Sequence, residues 1–116
     1  MKKRKRESNT FTLIRDRYFK LDIDFENLLL NCKTEEEKKN LKTDYIISRA
    51  NFRKALNLCF DENDPIVNDL IKKLEDLEKR IEKEIHNLNN ISNVLKMISE
   101  SVRIATTIIV MVMSIV

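Results

Sequence analysis

Cysteine, histidine and carboxylate side chains could ligate a metal, attack a carbonyl or carry a proton, and this chain scatters them without assembling them. Cys32, Cys59 and His86 stand far apart, and no two share the i, i+3 or i, i+4 separation that brings metal ligands onto one helix face. The run DENDP at 61–65 begins like a calcium loop, but Ile66 and Lys72 occupy the positions that need a glycine and a bidentate glutamate. It reads instead as a helix cap. Glu75 with Lys79, and Glu78 with Glu82, sit four residues apart, a spacing that a solvated helix face explains without a cleft. No nucleophile with a neighbouring base and no phosphate loop is visible, so the expectation is a protein that is not an enzyme and uses no cofactor or metal.

The elements that would have to position any such groups are helices. The 116 residues include no glycine, one proline (Pro65) and no tryptophan, with 42% hydrophobic and 35% charged side chains. Tight hairpins and nucleotide-binding loops need glycine for positive φ or close backbone approach, which argues against a β-sandwich, a Rossmann fold or a P-loop. One all-α domain fits the length. The two cysteines are isolated, and the basic start MKKRKR is followed by polar ESNT instead of an apolar run, so an intracellular, reducing setting is expected. Each cysteine reads as a small buried hydrophobe, although a disulfide between the two is conceivable.

Charge is uneven. Lys2, Lys3, Arg4, Lys5 and Arg6 supply five positive charges, so with a net charge of +3 the rest of the chain is slightly acidic. Residues 1–11 read as a basic disordered tail that could touch anionic lipid. A nucleic-acid partner is not expected, since no aromatic or recognition-loop pattern accompanies the basic run.

Steps of three and four through Ile14, Tyr18, Leu21, Phe25, Leu28, Leu29 and Cys32 predict a helix over about 12–31. Thr34 with Glu37 forms a capping box for a second helix, which carries Leu41, Tyr45, Phe52, Leu56, Cys59 and Phe60 on one side and ends at DENDP. The short connection predicts an antiparallel hairpin. Asp64 and Pro65 are expected as cap and first residue of the next helix.

From Val67 onward a heptad runs through Leu70, Leu74, Leu77, Ile81, Leu88, Ile91, Leu95, Ile98, Val102, Ala105, Ile109, Val112 and Val116, with Glu84 as its single polar break. One helix over 65–116 would span roughly 78 Å at 1.5 Å per residue, twice the roughly 39 Å of the second helix. Asparagines 87, 89 and 90 could make a turn and close a four-helix bundle. The unbroken heptad phase favours instead a long continuous or mildly kinked helix after the hairpin, with Leu74, Leu77, Ile81, Leu88, Ile91, Leu95, Ile98 and Val102 as an interaction seam.

The last segment, 104–116, carries Ile104, Ile108, Ile109, Val110, Val112 and Ile115 and no charge. As a helix it covers roughly 20 Å, short of the roughly 30 Å of a bilayer core, yet it is apolar all round. It is therefore a membrane attachment or a buried or oligomeric core, with a β-branched strand as the remaining alternative. The resulting expectation is a non-catalytic scaffold or assembly protein, with residues 12–103 as the helical domain. It would self-associate through the seam, or bind another helical protein, and attach to a membrane or larger assembly by its C-terminus with its N-terminus cytoplasmic. The alternative is a soluble four-helix-bundle binding or immunity-type module with that end buried.

Overall fold

The computed structural model describes residues 9–60 and 64–115, the side chain of Ile115 excepted; the basic residues Lys2, Lys3, Arg4, Lys5 and Arg6 lie outside the described residues. The fold is all-α. Helix α1 spans Asn9–Asn31, α2 Glu35–Ala55, α3 Pro65–Glu84 and α4 Ile91–Ile115, with a 3-10 turn at Leu88–Asn90 before α4.

Local chemistry sets the starts. Thr34 accepts from the Glu37 amide at 3.0 Å, while the Glu37 carboxylate takes the Lys33 amide at 2.7 Å, so the capping box forms with its reciprocal arm one residue earlier than the ideal. Asp64 accepts from the amides of Ile66 and Val67, with Pro65 at the first helical position. Helix α1 is already formed at Asn9, the first described residue and three residues before the expected boundary; there Thr10 is buried, Phe11 packs on Phe52 and Asn9 donates to Glu75. Helix α2 stops at Ala55, ahead of DENDP. Its last carbonyls bend into a tight turn at Leu56, Asn57 and Leu58, which returns Leu58 and Phe60 to the core and leaves Leu56 and Cys59 exposed. Those two were expected on the buried side. Both cysteines are free thiols, Cys32 half-buried.

Helices α1 and α2 form the expected antiparallel hairpin, joined by ring contacts from Phe11–Phe52 at one end to Phe25–Tyr45 at the other. A continuous third helix does not form. The chain turns at residues 85–90, and α4 folds back antiparallel on α3, giving a four-helix bundle whose longest dimension is 48 Å. The physical reason is burial: straightened, the monomer would leave the α4 stripe in water, whereas folded back it closes the core. Around the bundle the order is α1, α2, α4, α3, so that α4 packs on both α2 and α3. Ile14, Leu21, Leu28, Leu41, Leu74, Ile98 and Ile108 are essentially inaccessible at its centre. Each such side chain contributes about 1.5–3 kcal/mol of transfer free energy.

Candidate functional site

The two hairpins stack with α2 parallel to α4. Seven-residue steps put Glu37, Asp44 and Asn51 on one stripe of α2 and Ser92, Ser99 and Thr106 on the matching stripe of α4. The two stripes meet rung by rung at a constant separation of 55 residues: Ser92 donates to Glu37 at 2.6 Å, Ser99 donates to Asp44, and Asn51 donates to Thr106 at 3.0 Å. The hydrogen bonds to Ser92 and the Lys33 amide hold the Glu37 carboxyl below the usual carboxylate range. Burial pushes Asp44 the other way, upward, against the opposing effects of Ser99 and the Arg17 charge.

Outside this ladder lies a groove of about 1120 Å³ between α2 and α4. Its accessible apolar surface comes from Ile47, half-buried, from the exposed Ala50, and from Ile46, which stands on the rim 57% exposed, while Leu41, Leu95 and Val102 lie buried behind them. Glu36 lies at one end and Lys54 at the other, while Lys96 and Arg103 edge the α4 side. The Arg103 guanidinium is paired with Glu100.

Beneath the groove, all four helices contribute to one polar layer. Arg17 of α1, 3% exposed, donates twice to Glu78 of α3 at 3.0 Å, and Ser101 of α4 donates to the same carboxylate. Asp44 of α2 lies close enough to feel the Arg17 charge. The expectation that Glu78 belongs to a solvated face is therefore corrected. Both charges were detectable: Arg17 falls between Ile14 and Leu21, and Glu78 between Leu74 and Ile81, inside their apolar stripes. The groove had no comparable signal, because it is made by two helices that the sequence does not pair.

The residues read as an interaction seam face inward. Leu74, Leu77, Ile81, Ile91, Leu95, Ile98 and Val102 are buried in the bundle's own core, and Leu88 is half-buried at the turn. At the C-terminal end, Ile104, Ile108, Ile109 and Val112 are buried while Val110 is exposed. Ile115 is the last described residue of α4, and its side chain lies outside those described. The segment Leu88–Ser114 is long and apolar enough to cross a membrane by length and composition, though much of it is covered by the bundle. His86 is exposed beside a smaller cavity of about 180 Å³ between α1 and α3. Among the described residues no group of three His, Cys, Asp or Glu side chains is placed to hold a metal ion.

Comparison with protein-family models, with curated proteins and with solved structures finds no match for this chain.

Proposed function

We propose that this chain is a non-catalytic helical binding module whose α2–α4 groove receives an amphipathic helix from a partner protein. The observation that carries the reading is the groove itself. It follows α2 from Thr34 to Lys54, about 30 Å of helix, and it offers the apolar side chains of Ile46, Ile47 and Ala50 beside fixed polar rungs. Its ends are charged oppositely: Glu35 and Glu36 stand at the start of α2 and Arg53 and Lys54 at its finish. Ordinary helices carry acids in the first turn and bases in the last, so a helix lying antiparallel to α2 and α4 matches both ends and opposes their dipoles.

The test uses two synthetic amphipathic peptides of identical composition, one with glutamates in its first turn and lysines in its last, the other reversed. Fluorescence anisotropy should show tighter binding of the first. Ala50→Glu, which fills the groove from an exposed position, should abolish binding while leaving the melting temperature unchanged. Failure of both peptides to bind would overturn the groove reading.

A second reading keeps α4 as a membrane attachment on an intracellular protein. Its support is the length and apolarity of α4, together with Val110 and Met113, which are 56% and 48% exposed near its end. Flotation of the protein with anionic vesicles tests it; a protein that stays with the aqueous fraction and needs no detergent excludes that attachment.

A further inference from the structure

The turn between α3 and α4 is unusually close to being helix. Ile85 has φ −64° and ψ −20°, Ile91 has φ −58° and ψ −38°, and Leu88–Asn90 is a 3-10 turn, while Asn87 departs from helix with φ −121° and ψ 89°. No described residue has positive φ, and the chain has no glycine to hold a reverse turn. A side-chain bond from the Asn89 amide to the Asn87 carboxamide oxygen, at 3.2 Å, caps the 3-10 turn. The heptad also runs through the turn in phase, the position held by Ile81 recurring at Leu88 and again at Leu95. A loop has no need to keep that phase; a helix does.

From this we propose that the chain also assembles with a second copy by domain swapping, with α3 and α4 straightened into one helix over residues 65–115. That helix would be about 77 Å long. Each α4 then packs on α2 and α3 of the other copy. The contacts that α4 makes with α1, α2 and α3 in the monomer are kept, including the rungs at Glu37, Asp44 and Asn51 and the bond from Ser101 to Glu78. The antiparallel Ser101–Glu78 pairing places the two-fold axis between Asn89 and Asn90, so that Leu88, half-buried in the monomer, lies opposite Ile91 of the second copy. The only local structure lost is the turn. Closure within one chain competes through its high effective concentration, which makes the dimer a product of high protein concentration during folding. Unlike the groove reading, this assembly uses the seam and needs no foreign partner.

Refolding the full chain at micromolar and at millimolar concentration, followed by sedimentation, tests it. The dimer should appear at the higher concentration and exchange slowly on dilution. Asn87→Ala favours continuous helix and should raise the dimer fraction several-fold, while two glycines inserted after Asn87 should suppress it. On a Cys32→Ser, Cys59→Ser background, chains carrying Asp44→Cys and chains carrying Ser99→Cys are refolded together. A disulfide joining the two chains is expected, because only exchange of α4 brings those positions together across copies; the Asn51→Cys and Thr106→Cys pair repeats the test one rung away. A protein that stays monomeric at every concentration, glycine-insensitive dimerisation, or a dimer in which neither pair cross-links would overturn the proposal.

Discussion

At the scale of single residues, the polar layer carries the sharpest consequences. Arg17 and Glu78 are buried together, and among the described residues the Arg17 Nε has no hydrogen-bond partner, so the arginine depends on Glu78 for most of its compensation. Glu78→Ala should cost about 3–5 kcal/mol, because it strands a buried cation. A denaturation series showing a loss below about 1 kcal/mol would refute that dependence. Asp44 acts through pH. Its carboxyl is raised above 3.8 in the folded chain, chiefly by burial, so the native state binds the proton more tightly than the unfolded state does. Its contribution to stability is then present at low pH and is lost as pH rises from 3.8 through the raised value. Glu37 has the opposite sign, its contribution being present above 4.5 and lost as pH falls through its lowered value. Asp44→Asn keeps an acceptor for Ser99 but cannot titrate, so the decline in melting temperature above pH 3.8 should be smaller in the variant than in the wild type. Identical pH profiles would mean that Asp44 does not feel its burial.

For the elements, the question is what surrounds the apolar end of α4. Ile109 and Val112 are 1% and 5% exposed, packed in the same core as Leu21 and Leu41. Changing both to Lys would place two ammonium groups among apolar neighbours without partners, at a cost of several kcal/mol. Circular dichroism in aqueous buffer should show the cooperative transition lost or moved far down in temperature. Were α4 to dock in lipid and not on the bundle, the same variant would melt like the wild type and lose only vesicle binding, since a lysine near mid-bilayer opposes insertion by about 2.5–3.5 kcal/mol. Preserved melting would therefore refute the packing of α4 described above.

Taken as one molecule, the protein is two antiparallel hairpins laid side by side in parallel register. The polar rungs between α2 and α4 and the ion pair between α1 and α3 join one hairpin to the other, and both sets specify the same vertical alignment. A one-turn slip would leave Glu78 and Arg17 buried without each other, which is a strong penalty against alternative stackings. The α3–α4 turn carries no such specification. That contrast is why the proposed exchange of α4 between copies would change the connection and leave the interfaces alone.

Capping residues and the apolar periods of three and four were enough to determine the all-α class and the starts of α2 and α3, because Thr34, Glu37, Asp64 and Pro65 act on amides within a few residues of themselves. The antiparallel first hairpin was equally legible, since a three-residue connection leaves few other geometries. Whether 65–115 is one helix or two was not. A heptad states that a face must be buried, and a folded-back partner in the same chain satisfies it as well as a partner in another chain does. Glu78 was misread for a related reason: its spacing from Glu82 suits a solvated surface, and only the arrival of Arg17 from α1 and Ser101 from α4 makes burial tolerable. The groove likewise exists only once α4 lies beside α2, 55 residues away in the chain. Local hydrogen bonding and periodicity thus lie within the reach of sequence, whereas the choice of which buried face meets which depends on packing free energy summed over the whole bundle.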